Sequence, residues 1–310
     1  MTRLVGIARK RPFPDGTVAS GRWPLEFGRP FAARSVTMRP MLPASPAVVL
    51  TGAASGLGRA FALELAGRGA RLFLADVDEA GLAETARMVK GGGGAVRTLR
   101  CDVSSLDDMK RLHAESTEWL TDVDLLINNA GVAVGGAVGD VPIEDWQWIT
   151  GINQWGVIYG CHLFLPGMKR RRNGHVLNVA SIAAFACAAE MAPYNVTKAA
   201  VVALTETLAG ELAGTGVGVS VLCPFFFSTN IARSSRSASP SVTPEFVEKL
   251  MQKTPVQAAQ VARLALRACD RGHLYVFPHR EAKGIAALKR LLPETFLKRL
   301  GPLAAKVAGP

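Results

Sequence analysis

The sequence predicts an α/β fold built on a doubly wound parallel sheet in a single domain, and three observations carry that prediction. Short apolar runs alternate with stretches of helical length along residues 47–279. Glycine or small polar residues follow one run after another, at the carboxyl ends of strands where such sheets bind ligands. No internal repeat or second apolar block breaks the alternation, so one core is expected.

The first run, residues 47–50, ends in Thr51-Gly52-Ala53-Ala54-Ser55-Gly56-Leu57-Gly58, and residues 59–68 then read as a helix. Strand, glycine turn and helix in that order form a pyrophosphate site, because small residues admit the backbone closely and the helix N-terminus supplies N–H groups. The spacing TGxxxGxG is a variant of the commoner GxGxxG. Residues 71–75 read as a second strand closing on Asp76, twenty positions after Gly56, where a carboxylate can bind ribose hydroxyls. Neither Arg nor Lys stands at Ala53, Ala54, Ser55 or Val77 to welcome a 2′-phosphate, so NAD is expected over NADP.

Helix 79–90 stops at the glycines 91–94, strand 96–101 leads into Asp102 and Val103, and helix 105–120 precedes strand 123–127. That strand delivers Asn128, Asn129, Ala130 and Gly131. A single long helix is expected over 142–168, carrying Asn153 among Trp146, Trp148 and Trp155 as packing aromatics. Strand 174–180 ends at Ser181, strand 217–223 ends at Pro224, helices near 244–253 and 255–271 follow, and strand 274–277 closes the sheet. The Ser-rich loop reaching about residue 243 reads as a lid.

Between strands 174–180 and 217–223 lies Pro193-Tyr194-Asn195-Val196-Thr197-Lys198, opening a long apolar helix. Positions four apart share a helix face, so phenol and ammonium can meet, and a cation beside a phenol favours its ionised form.

Composition sets limits. With 49 % hydrophobic and 20 % charged residues the chain is that of a globular protein, and its net charge of +11 is unevenly placed. Lys+Arg against Asp+Glu is 8 against 2 over residues 1–46, 21 against 21 over 47–279 and 7 against 2 over 280–310. A neutral body with basic ends argues against nucleic acid as a partner. Five scattered cysteines without a CxxC are expected to be reduced, which fits a cytoplasmic protein, and no metal site is visible, His162 and His175 reading as core or surface residues. Residues 1–46 read as a disordered basic extension or as a transit-like segment.

The ordered set Thr51 to Gly58, Asp76, Asp102, Asn128 to Gly131, Asn153, Ser181, Tyr194 with Lys198, and Pro224 with Thr229 resembles the short-chain dehydrogenase/reductase family over residues 47–279. The resemblance implies a Rossmann-like domain and a dehydrogenase or reductase acting on a CH–OH group. Tyr194 is then the proton carrier, Lys198 its tuning cation and a ribose ligand, Ser181 the holder of the substrate oxygen, and Asn153 the organiser of a relay water. Gly52, Ser55, Gly56, Leu57, Gly58, Asp76, Asp102, Val103, Asn129, Ala130, Gly131, Tyr194, Lys198, Pro224 and Thr229 are the implied cofactor residues. A homodimer or homotetramer is the implied assembly.

Two features depart from the family pattern. Pro224-Phe225 replaces the usual Pro-Gly, and Phe225, Phe226 and Phe227, with Phe185 nearby, serve either a lipophilic alcohol or ketone or the core. Residues 287–300 alternate apolar and basic pairs, as in a helix lying on a membrane or packed on protein. The expected activity is NAD-dependent interconversion of an apolar secondary alcohol and its ketone. The alternatives are an NADP-linked ketone reductase and a non-catalytic nucleotide-sensing or membrane-adaptor protein.

Overall fold

A computed structural model of the chain describes residues 41–227, 231, 235–238 and 255–298. The expected helix near 244–253, Thr229 and most of the Ser-rich loop lie outside the described residues.

Among the described residues the main sheet has seven strands, all parallel. In chain order these are β1 (Ala47–Thr51), β2 (Arg71–Asp76), β3 (Ala95–Arg100), β4 (Leu125–Asn128), β6 (Gly174–Val179), β7 (Val217–Leu222) and β9 (Tyr275–Val276). Their order across the sheet is β3-β2-β1-β4-β6-β7-β9, so the winding reverses between β1 and β4. That reversal opens a crevice at the carboxyl ends of those two strands, where the glycine turn and Asn129 emerge.

Strand geometry divides the core into two layers. Successive side chains point to opposite faces, so Val48, Leu50, Leu72 and Leu74 meet α1 (Gly56–Ala66), while Val49, Phe73 and Ala75 meet α3 (Leu106–Leu120). The first layer is completed by α2 (Glu79–Gly91) and α8 (Ala258–Asp270), the second by α5 (Gly156–Arg171) and α7 (Ala192–Glu211). Phe61, Leu65, Leu112 and Leu126 are wholly buried, each contributing about 1.5–3 kcal/mol of apolar transfer free energy. Leu42, ahead of β1, already joins the first layer.

Helix starts follow local chemistry. Asp78 accepts from the Gly81 N–H at 3.0 Å to cap α2, and Ser105 accepts from Asp108 N–H at 3.2 Å to cap α3.

Three features correct the sequence reading. The single helix expected over 142–168 is two helices, α4 (Ile143–Thr150) and α5, joined by a π-helical turn at Gly151–Trp155 that holds Asn153. A second, two-stranded sheet pairs β5 (Val134–Gly135) with β8 (Arg236–Ser237). Finally, α9 (Arg280–Leu291) ends before Pro293, so residues 287–300 do not form one helix. Proline disfavours the helical conformation in the residue before it, here Leu292, and the chain turns there to bury Phe296.

Candidate active site

The glycine turn is shaped by close approach. Gly52 has φ +66°, and a Cβ there would lie 2.7 Å from Ala130 Cα. A Cβ on Gly58 would lie 1.9 Å from the Gly52 carbonyl oxygen. The turn is tied to β4 by Asn129, whose Nδ2 donates to the carbonyls of Thr51 and Gly52 at 3.0 and 2.9 Å. Thr51 Oγ1 in return accepts from the N–H groups of Asn129 and Ala130. Ser55 precedes α1 in extended conformation without a side-chain cap bond, and no acidic residue stands in the first turn, so that helix end keeps its positive character.

Asp76 holds the turn from the side. Its carboxylate accepts from Ala54 N–H at 2.9 Å and Asp78 N–H at 3.1 Å. A cation at this corner that the sequence reading overlooked is Arg59. Its guanidinium donates from Nη2 to the Ala54 and Gly81 carbonyls and from Nε to Thr85 Oγ1, neutral oxygens of the scaffold. Leu57 and Val103 are buried, Val103 against Gly156, and Asp102 accepts from both the N–H and the hydroxyl of Ser104.

On the other side of the crevice, β6 ends beside Ser181, and α7 carries Tyr194 and Lys198 one turn apart. Lys198 is buried; its Nζ donates to the Val179 carbonyl at 3.0 Å and lies 5.7 Å from the centre of the Tyr194 ring. Burial pushes the Lys198 ammonium down to about 8, with Cys223 pulling it back up. Burial raises the Tyr194 phenol above its ordinary value, and a hydrogen bond with Ser181 opposes that shift. In the protein alone, desolvation therefore outweighs any help toward phenolate.

Asn153 is wholly buried, with its amide committed to the backbone: Oδ1 accepts from Val132 N–H and Nδ2 donates to the Val132 carbonyl, both at 2.9 Å. Nδ2 also reaches Thr197 Oγ1 at 3.3 Å. The π turn thus fastens the loop after β4 to α7. A Cβ at Gly131 would stand 3.2 Å from Asn153 Oδ1 and 3.3 Å from Lys198 Nζ, so a side chain there would crowd both.

The aromatic residues separate. Phe227 is buried in the first core layer, Phe185 packs edge-on to Phe277, and Phe226 is exposed with its ring 5.1 Å from that of Phe225. Pro224 is buried, and its carbonyl accepts from Ile182 N–H at 2.9 Å. Trp146 and Trp148 pack against Val134, Val141 and Ile149, whereas Trp155 is exposed beside Tyr159. Among the described residues no group of His, Cys, Asp or Glu could hold a metal, and His175 is buried with Nε2 2.8 Å from Ser220 Oγ.

A polar ladder inside the sheet had no sequence signal. Asn128 Nδ2 donates to Asn178 Oδ1 at 2.9 Å, and Asn178 Nδ2 donates to Thr205 Oγ1 at 3.1 Å, joining β4, β6 and α7 beneath the Tyr–Lys face.

A glycine-lined turn at the sheet's reversal, facing a half-buried Tyr194 and a buried Lys198 across the same crevice, defines an oxidoreductase of the dinucleotide-binding α/β class. The short chain dehydrogenase family model matches residues 46–240, and the chain belongs to that family. It is 32 % identical over 202 residues to the "Probable oxidoreductase EphD" of Mycobacterium tuberculosis, a match covering 65 % of this chain but only 34 % of that protein, so the chain spans about a third of that relative's length. It is also 32 % identical over 243 residues to a 1-deoxy-11-beta-hydroxypentalenate dehydrogenase of Streptomyces exfoliatus, covering 76 % of this chain and 84 % of the relative. Among solved structures, a short chain dehydrogenase/reductase from Burkholderia phymatum in complex with NAD superimposes with a TM-score of 0.76 at 35 % identity, covering 83 % of this chain and 96 % of that one.

Proposed function

We propose that the chain interconverts an apolar secondary alcohol and its ketone with NAD as hydride carrier. The observation that carries this reading is the convergence of Ser181, Tyr194 and Lys198 at the ends of β6 and α7. The glycine turn fits a pyrophosphate, since its backbone approaches closely and the N–H groups of α1 face outward. Gly52, Ser55, Gly56, Leu57 and Gly58 would hold the phosphates, Asp76 a ribose, and Asp102, Val103, Asn129, Ala130, Gly131, Pro224 and Thr229 the rest of the cofactor. When bound, the cofactor accepts or gives the hydride and, oxidised, adds a positive charge.

The chain's own residues manage the proton. Ser181 holds the substrate oxygen. Tyr194 removes the hydroxyl proton during oxidation and returns it during reduction. At neutral pH most of Lys198 remains charged, and its ammonium opposes the desolvation that keeps the phenol protonated. Asn153 completes the relay through a water beside Lys198. A lipophilic substrate is supported by Phe225 and Phe226 and by the relative named for a hydroxylated pentalenate. Assembly as a dimer or tetramer follows the family's habit.

Asp76 sets the cofactor choice. Titration followed by intrinsic fluorescence is expected to show NAD binding at least about tenfold tighter than NADP, since a carboxylate facing a phosphate costs about 1.4 kcal/mol or more. Tighter binding of NADP would refute the role of Asp76 and favour the NADP-linked reductase.

Peripheral contact with an anionic membrane is the second part of this reading. None of the described helices is long and apolar enough to cross a membrane. However, Leu288, Leu291, Leu292 and Leu297 are exposed, Leu291 to 76 %, beside Lys289, Arg290 and Lys298. Apolar side chains flanked by cations suit the headgroup boundary. The protein is expected to pellet with vesicles containing phosphatidylserine, and the Leu288→Asp, Leu291→Asp double variant to stay in the supernatant; equal partitioning of both ends the idea.

A further inference from the structure

The peptide group joining Pro224 to Phe225 is held on both sides. Its carbonyl accepts from Ile182 N–H, next to Ser181, and its N–H donates to His279 Nδ1 at 3.2 Å. The second bond breaks a pattern. Along β7 and beyond, Val221 N–H donates to the Leu274 carbonyl and Cys223 N–H to the Val276 carbonyl. A parallel ladder continued by one more step would pair Phe225 N–H with the carbonyl of residue 278, which is Pro278. The imidazole of His279 takes that place.

The ring is built into the fold. His279 is 2 % exposed and precedes α9, with its centre 6.1 Å from the ring of Phe227 and 6.4 Å from that of Phe225. Nδ1 can accept only if it carries no proton, so the neutral tautomer protonated at Nε2 is required. Nε2 is buried and closes no hydrogen bond within the described residues. Burial lowers the pKa of the imidazole, although the Val256 backbone and Glu281 act against that shift.

We propose that His279 is a positioning residue for the reaction: through Nδ1 it fixes the Pro224–Phe225 peptide, and with it the strand end braced against Ser181. Where the family resemblance leads one to expect a glycine after Pro224, this chain carries Phe225, and the histidine just beyond β9 takes its backbone N–H. The catalytic part of the proposal rests on the function proposed above.

The test uses three variants of the full chain. Asn places its Oδ1 where Nδ1 stands, Gln places Oε1 near the Nε2 position, and Leu offers no acceptor. His279→Leu and His279→Gln are expected to lower kcat/KM by about tenfold, the size of one lost hydrogen bond, and to speed amide exchange at Phe225 by a similar factor. His279→Asn is expected to restore both to within about threefold of the parent. Should the Leu variant fail to fold, the contrast between Asn and Gln decides. Parent-like activity and exchange in the Gln variant, or an Asn variant no better than Gln, overturns the proposal. If the parent protein turns over no alcohol or ketone with either cofactor, the function reading falls and the catalytic part of this proposal with it, while amide exchange still decides whether His279 holds the peptide.

Discussion

Replacing Tyr194 by Phe is expected to lower kcat by about a thousandfold or more while leaving the dissociation constant for NAD within about threefold of the parent. The substitution removes one oxygen. The ring stays packed against Val134, Val141 and Ile149, and Lys198 Nζ keeps its bond to the Val179 carbonyl, so neither the fold nor the cofactor crevice loses support. What disappears is the group proposed to carry the proton between substrate and solvent. The phenol is suited to that task only in company: alone in its buried setting it stands above its ordinary pKa, with Ser181 opposing that shift. Steady-state kinetics following NADH absorbance, with fluorescence titration of NAD on the same sample, checks both halves. Turnover persisting near the parental rate would remove Tyr194 from the chemistry.

The second large effect is expected at Gly58. A Cβ there would stand 1.9 Å from the Gly52 oxygen, 2.8 Å from the Gly52 carbonyl carbon and 2.9 Å from Asn129 Nδ2. Two of those atoms are backbone and the third belongs to the side chain that ties the turn to β4, so none can swing aside cheaply. Gly58→Ala should therefore displace the turn from the cradle it forms. NAD affinity is expected to fall by more than about a hundredfold, and stability by about 1–3 kcal/mol through overpacking. Gly91→Ala is the matched control: nothing lies within 4 Å of the added carbon, and alanine in place of glycine at the end of α2 should be neutral or stabilising by up to about 1 kcal/mol. Thermal melting with and without NAD compares them. A Gly58→Ala protein that binds NAD as the parent does would mean that the turn is not the phosphate site.

Much of this was legible in the sequence because parallel strands buried on both faces appear as apolar runs, and β1 and β4 read that way. Several residues brought to the crevice lie just after such runs, so finding a strand's end also found the candidates beside it. What stayed hidden depends on contacts between distant positions. Asn178 and Thr205 read as ordinary polar residues until β6 and α7 are set side by side. The β5–β8 pair is two residues long and its halves are a hundred positions apart, too little for periodicity to register. Arg59 reads as one more surface cation on a helix, and only the fold folds it back under Ala54. His279 closes the stretch read as the domain without any role being read for it, and its partner is a backbone amide that leaves no mark in sequence. Phe185 and Phe227 illustrate the limit of composition, since an aromatic near a site and an aromatic in the core look alike until burial is known.

The π turn at Gly151–Trp155 has a consequence for how α4 and α5 can change. Such a turn is what one residue inserted into an α-helix produces, and each residue rotates the helix by about 100°. Ile149 ahead of it and Val157 and Cys161 after it face different neighbours, the first beside Val134 and the others in the sheet's second layer. The two helices are therefore out of phase by one position, and loss of a single residue between them would bring them into phase. That shortened helix would be more regular, yet it could satisfy only one of its two packing partners at a time. Insertions and deletions in this stretch are thus constrained to compensate within the turn itself, which makes the length of 151–155, more than its composition, the quantity that this part of the chain has to preserve.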